Sequence, residues 1–505
     1  MNYKKDRTNK LKGKRIMYTV TKNTKLISLA LMLIGVVALG YGFIQGAGHH
    51  TDEDIANEVI AFAQDLHLDG HHHSNDTHVH ESNHSHDNAG HGHSIENEAL
   101  YAPLFHKIEE EFHLHFSPSE IAEAHDLDHV VHTTTHALHA KGQRPWSSLL
   151  VAAIFFLGVS LVSIFFLALQ YVAEVGWTVV LKRVLMAIGS FLPYVGAILF
   201  IIFITGGLHL FGNHTYHWMA TGIMDPESPN YDAIIAGKEA YLNLTFFLVR
   251  ALVYFAGWYY GLKKLINLSL LEDQNGGLEY YNKSVKVSAI FIVFFAVTSS
   301  MMAWDWIMSI DTHWFSTLFG WYVFAGMMVT VFVVLSMVVV HLKSKGQLEH
   351  VNENHMHDVA KFMFAFSIFW TYLWFSQFML IWYANIPEEV TYYNARFDEY
   401  SVPFMTALVL NFVVPILMLI SRDAKRVSGF VIVIGSIILV GHYLDFFVMI
   451  MPGTVGGHWH LGFVEIGTFL GLGGLFIRVV TKKLSSMELT PKNHPMLKES
   501  KNFHI

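Results

Sequence analysis

The chain contains no cysteine. Disulfides, thiolate zinc sites, cysteine-ligated iron–sulfur clusters and CxxCH haem attachment are therefore excluded within it. A redox centre that uses those ligands must sit on a partner. Charge is scarce as well. Asp, Glu, Lys and Arg make up 15% of the 505 residues, against 52% hydrophobic residues. The apolar residues cluster in runs of about 20, too long for ordinary core helices. That composition argues against a soluble enzyme. It also argues against a nucleic-acid binder, which needs a basic patch on a soluble domain.

Basic residues are nearly missing from one stretch. Residues 49–146 hold only Lys107, Lys141 and Arg144, against 18 acidic residues and 20 of the 33 histidines. With histidine neutral, this segment carries −15 and the remainder +7, which together give the formal −8. An acidic insert is set in a basic, apolar body.

That body contains ten expected membrane helices, near 26–44, 147–171, 184–206, 241–262, 284–304, 315–341, 358–384, 403–421, 428–451 and 459–481. Each can cross ~30 Å of hydrocarbon at about 1.5 Å per residue. With the N-terminus inside, 27 of the 33 Lys and Arg fall on the cytoplasmic side, five on outer loops, and Arg250 within a span. This bias predicts that both termini are cytoplasmic. Residues 1–25 and 482–505 are then tails, 45–146 an outer, periplasmic insert, and 147–481 a nine-span body. The first span reads as an anchor rather than a cleaved leader. Leu26–Ile44 is long for a leader's apolar stretch, and Gln45-Gly46-Ala47 is a poor cleavage site. Met17 is an alternative start that leaves the topology unchanged.

The centre of the insert, 67–93, is polar, low-complexity and glycine-punctuated, which predicts disorder. His71, His72, His73, His78, His80, His84, His86, His91 and His93 include HxH spacings that suit transient Zn, Ni or Cu binding. No spacing fixes a closed four-ligand site, so a solvated loop with incidental metal affinity is the plainer reading. Helical periodicity at 52–68 and 118–139 predicts short amphipathic helices on the outer surface.

Ionisable residues inside spans are costly and by default functional. Arg250 lies in the fourth span, His442 and Asp445 one turn apart in the ninth, and Glu465 in the tenth. Counting rise, Asp445 and Glu465 lie about 9 Å below the outer surface, and Arg250 and His442 about 13 Å. Arg250 is expected to pair with Asp445 or Glu465; a structural ion pair that locks the bundle is the alternative. The inner half is poor in charge apart from Glu174. A proton path there would use Thr298 to Ser300, Ser367, Thr371, Tyr372, Ser376 and Gln377, residues that also serve as helix–helix contacts.

A second polar group lies in the outer loops, at His209, His214 and His217 and from Trp304 to His313. Tryptophans there suit an interfacial belt, and Asp311 can N-cap the sixth span. The functional expectation is a quinone-headgroup pocket formed by His209, Trp304, Asp305, Asp311 and His313. Aromatic walls would hold the ring, and a His or Asp would accept each phenolic proton.

The segments AWDWIMSIDTHWFSTLFGWYVFAG (303–326) and HDVAKFMFAFSIFWTYLWFSQFMLIWYANIPEE (357–389) resemble the ActF subunit family of bacterial alternative complex III. That family, the quinone-binding-type subunit 2 of quinol:cytochrome c oxidoreductase, is similar to NrfD or polysulphide-reductase membrane subunits. The similarity covers roughly spans two to ten, and the His-rich insert departs from it. The resemblance implies an all-α polytopic fold in the bacterial inner membrane, with two four-helix bundles (spans two to five and six to nine) flanked by spans one and ten. It implies a complex that oxidises menaquinol or ubiquinol and passes electrons to a cytochrome c or directly to a terminal oxidase. Haem c and iron–sulfur clusters would lie on multihaem cytochrome c and iron–sulfur, molybdopterin-type partners, with no metal or covalent cofactor in this chain's membrane part. A sister NrfD-like subunit is the better candidate for the working quinol site, which leaves this chain as support or as a proton-conducting element. On that basis Arg250, Asp305, His442, Asp445 and Glu465 are proton-path candidates; none matches a catalytic residue of the family. Two other classes compete. A metal-ion transporter needs ligand pairs on two or more spans, and only His442 and Asp445 offer one. A cytochrome b needs deep histidines on facing helices, and only His442 is deep.

Overall fold

The computed structural model describes residues 18–46, 52–66, 68, 93–112, 114, 116, 118–228 and 230–504. His71, His72, His73, His78, His80, His84, His86 and His91 lie outside the described residues, as does the side chain of His93.

Among the described residues the regular elements are helices. The α-helices longer than five residues are α1 (Lys22–Gly46), α2 (Asp52–Asp65), α3 (His93–Phe112), α4 (Leu127–Val172), α5 (Lys182–Gly189), α6 (Leu192–Gly207), α7 (Leu244–Asn275), α8 (Glu279–Trp306), α9 (Phe319–Ser344), α10 (Glu353–Ala384), α11 (Pro387–Asp398), α12 (Ser401–Leu408), α13 (Val414–Leu419), α14 (Ser428–Ile450) and α15 (Phe463–Leu484). Nine helical segments among the described residues are long and apolar enough to cross a membrane, counting α5–α6 and α12–α13 as one each. The chain is a multi-pass helical membrane protein. The expected fourth span, α7, has the length at 32 residues, but Arg250 and several tyrosines lower its mean hydropathy.

Local signals start and stop these helices. Asp126, Asn243 and Asn352 N-cap α4, α7 and α10 by accepting backbone N–H groups. Gly276, at φ 70°, ends α7 in a conformation that L side chains rarely adopt. Between α12 and α13 the chain widens into a π-turn at Val409–Val413.

The insert differs from its sequence reading. The predicted helix at 118–139 and the span from 147 are largely one 46-residue helix, α4. At 1.5 Å per residue it runs about 69 Å, roughly twice the hydrocarbon thickness. Pro145 lies inside it without ending it. The N-terminal part of α4 packs on α2 and α3. Ile55, Val59 and Ala63 of α2 and Tyr101, Leu104, Phe105, Ile108 and Phe112 of α3 meet Val130 and Ala137 in a second, separate core. Those positions recur at helical spacing, so this part of the insert is a packed cap.

In the main body α4 is the central helix, in contact with α1, α5, α6, α8, α9, α14 and α15. Around it α7 packs on α8, α9 on α10 and α14, and α12 on α14. The first and last long helices, α1 and α15, meet through glycines. A Cβ on Gly35 would stand 2.4 Å from the Gly471 Cα, so nothing larger fits there.

Candidate functional site

Each charged residue singled out within the spans has a specific environment. Arg250 of α7 pairs with Asp305 of α8. Its Nε donates to Oδ2 at 2.9 Å and its Nη2 to Oδ1 at 3.0 Å, while Nη1 donates to the Tyr241 carbonyl at 2.9 Å. The Tyr254 hydroxyl donates to the same carboxylate at 3.1 Å. The expected pairing of Arg250 with Asp445 or Glu465 is therefore corrected. α7 and α8 are adjacent antiparallel helices, and Asp305 is the carboxylate they bring alongside.

Glu465 pairs instead with Arg144, at 2.7 Å from Nη2. Its other oxygen accepts the Gly462 N–H at 2.9 Å. Arg144 also approaches His460 Nε2 at 2.9 Å. A guanidinium can only donate, so the His460 ring accepts there through Nε2. Arg144 counts as an outer-loop residue by sequence, yet here it is buried on α4. It stands one residue before Pro145 and a long apolar run, and that position was its only signal.

The third group lies between α9, α10 and α14. The Asp445 carboxylate accepts from the Tyr322 hydroxyl and, at 2.9 Å, from Trp370 Nε1. His442 Nδ1 stands 3.7 Å from Asp445 Oδ2, and its ring meets Trp370 edge-on at 5.4 Å. Both ring nitrogens of His442, which is fully buried, lack a hydrogen-bond partner. So do both polar atoms of Asn411 in the π-turn. Asn411 lies against Gly441, the residue before His442: a Cβ on Gly441 would meet its Oδ1 at 2.3 Å. Buried polar groups are normally satisfied, and an unsatisfied one costs about 1–3 kcal/mol. π-turns recur at functional positions. Asn411 escaped sequence reading because a lone Asn in an apolar run has no periodic signature.

A narrow crevice of about 20 Å³ runs from Asp445 past Tyr322, Gln377, Tyr392 and Tyr393 to Arg396. That is room for water and far less than the roughly 300–1,000 Å³ of small-molecule pockets. At its end Arg396 Nη2 donates to Asp311 at 3.0 Å, and its guanidinium covers the Tyr392 ring at 3.3 Å. Tyr392 stacks on Trp314 at 3.8 Å. Asp311 is therefore an ion-pair partner; α9 begins beyond it with Leu318 at the N-cap, which corrects its reading as a helix cap.

The five residues expected to form a quinone pocket occupy separate contacts. Asp305 belongs to Arg250 and Asp311 to Arg396. His313 meets Asp232 at 2.6 Å on the surface. His209, at φ 50°, stacks on His214 at 5.1 Å. Trp304 Nε1 has no partner. None of the five lines either the crevice or the larger cavity of about 870 Å³ beside the cap. At the opposite end, buried Lys182 pairs with Glu272 at 2.8 Å, and Arg183 pairs with Asp273. Of the hydroxyl and amide candidates, Thr298 accepts from Trp258 Nε1 at 2.9 Å, Gln377 lines the crevice, and Tyr372 points away from the body.

Chemically, the Asp445 group differs from the other two. Arg250–Asp305 and Arg144–Glu465 are charge-matched pairs with most valences met. Asp445 is held by neutral donors beside an unsatisfied imidazole and a water-sized channel, an arrangement that can accept and release a proton. Among the described residues, no three His, Asp or Glu side chains converge as metal ligands. Compared with models of known families the chain matches none, and no curated protein is significantly similar to it.

Proposed function

We propose that this chain is a ten-span membrane subunit of a quinol-oxidising electron-transfer complex of the alternative complex III type, in a bacterial inner membrane with both termini cytoplasmic. In this reading α7 is the tenth crossing, the cap on α2 and α3 is periplasmic, and the His442–Asp445 group carries protons. The observation that carries the proton role is the unsatisfied His442 ring beside Asp445, at the head of a crevice that leads to Arg396. Quinol oxidation releases two protons for each pair of electrons, and the electrons leave through haem and iron–sulfur centres of partner subunits. Within this chain His442 exchanges a proton with Asp445 through the shared face of α14. Asn411 holds water on the inner side of His442. Tyr322, Gln377 and Tyr393 order water along the crevice. Arg396, buried and already paired with Asp311, closes the far end of the crevice and disfavours a cation lodging there. The narrow crevice favours protons over a quinone ring, which supports placing the quinol on a sister subunit. Proton relays are among the roles that buried carboxylates and histidines serve in membranes.

Asp445→Asn in the purified complex is the test. The rate of proton release coupled to quinol oxidation is expected to fall by about tenfold, equivalent to about 1.4 kcal/mol of barrier, with assembly and haem content unchanged. Unchanged proton release with normal assembly removes Asp445 from the path. Gentle solubilisation tests the complex itself. Multihaem cytochrome c and iron–sulfur partners are expected to co-purify, and a chain that runs alone defeats the assignment.

A further inference from the structure

The outer part of α4 carries a row of histidines. His125, His129, His132, His136 and His139 follow a three- and four-residue spacing, which places them on one face of the helix. Within this row His132 and His136 differ from the rest. Their Nε2 atoms stand 3.1 Å apart and their ring centroids 4.4 Å apart. Two imidazole nitrogens bound to one divalent ion at about 2.0–2.1 Å, with a bite between a right angle and the tetrahedral angle, stand roughly 2.9–3.4 Å apart. The pair is thus preset to the bite of a chelate.

Its backing is rigid. The Thr134 and Thr135 hydroxyls bond back to the Val130 and Val131 carbonyls at 2.8 and 2.9 Å. Val130 and Ala137 anchor the same turns in the cap core. Both histidines remain exposed on the opposite side. Along the same row His125 meets the Glu123 carbonyl and Asp126, and His129 meets Thr133. His136 also lines the 870 Å³ cavity with His139, His214 and His217, which leaves space for water on the remaining coordination positions.

We infer that His132 and His136 form a two-imidazole site for a late first-row divalent metal ion, with water completing the sphere. Imidazole ligands and the stability order of these ions favour Cu²⁺ over Ni²⁺ and Zn²⁺. The site is separate from the nine loop histidines and does not depend on the proton-carrying role of Asp445.

The test uses the full chain with the nine loop histidines at 71–93 replaced by glutamine, compared with the same chain also carrying H132Q and H136Q. Both side chains are exposed, so the substitutions leave the packing of α4 in place, which the thermal unfolding midpoint checks. Cu²⁺ is titrated and the complex read by electron paramagnetic resonance. The first protein is expected to bind one Cu²⁺ with hyperfine coupling to two imidazole nitrogens. The added pair of substitutions is expected to weaken that binding by at least about tenfold, which is about 1.4 kcal/mol, and to abolish the two-nitrogen signature. A signature of one nitrogen or none in the first protein, or equal affinity in both, overturns the site and shows the 3.1 Å contact to be a hydrogen bond between neutral rings.

Discussion

At the residue scale, the buried ions are legible as types but not as pairs. A carboxylate, a histidine or an arginine in an apolar run stands out at once, and the three-residue spacing of His442 and Asp445 places them on one face. Which helix lies opposite is a property of packing, so the partners Asp305, Arg144, Tyr322 and Trp370 appear only in the fold. The Arg250–Asp305 pair gives a clean measurement. Arg250→Ala leaves the Asp305 carboxylate buried without its cation and is expected to cost about 3–5 kcal/mol, whereas Arg250→Met with Asp305→Leu is expected to cost much less. Thermal unfolding in one detergent compares the two; equal losses would show that the pair contributes nothing beyond packing. Gly326→Ala probes the proposed proton-carrying group from a third side. Its new Cβ would stand 3.4 Å from His442 Nδ1, in the space beside the unsatisfied ring. Proton release is expected to fall while the unfolding midpoint moves little; release at the unaltered level would show that no water occupies that space.

At the element scale, the spans follow from apolar runs alone, because a bilayer demands about 20 such residues whatever the fold. Ends are harder to place. α4 continues through Pro145, since tight packing on both sides sustains a helix that a proline would end in water. α3 went unread beside the low-complexity tract, although Tyr101, Leu104, Phe105 and Ile108 carry the helical period. Glycine packing sets the α1–α15 contact. Gly471→Leu is expected to separate the two helices, because its first side-chain atom would fall 2.5 Å from the Gly35 Cα. The chain has no native thiols, so a cysteine pair placed on α1 and α15 at positions flanking the glycines gives an unambiguous cross-link. It should form in the parent and be lost in the leucine variant.

At the scale of the whole molecule, the C-terminal segment returns to the body at the end away from the cap. Ser500 donates to the Trp177 carbonyl at 2.7 Å, Asn493 donates to that of Asp273 at 3.0 Å, and the Phe503 carbonyl accepts from Asn352 at 2.7 Å. His494 is buried in this seam beside Lys182 and Arg183. Burial first, and those two cations second, push its pKa down to about 2. Above the ordinary value of about 6.5 the ring is neutral whether docked or free. Below that pH the free segment takes up a proton that the docked one refuses. Docking is therefore at full strength above about pH 6.5 and weakens as pH falls towards the docked value, by up to about 1.4 kcal/mol per unit. Limited proteolysis of residues 491–503 should accelerate at pH 5.5 relative to pH 7.5 after correction for protease activity, and His494→Gln should remove the difference. A rate independent of pH in the parent would place His494 outside the seam in solution.

The glycine contact between α1 and α15 also bears on the order in which the protein is made. α1 leaves the ribosome before α15, which supplies its partner face. Through most of synthesis that face has only lipid against it. Closing this contact is a late event in synthesis: a chain that stops short of α15 presents an open glycine seam along α1.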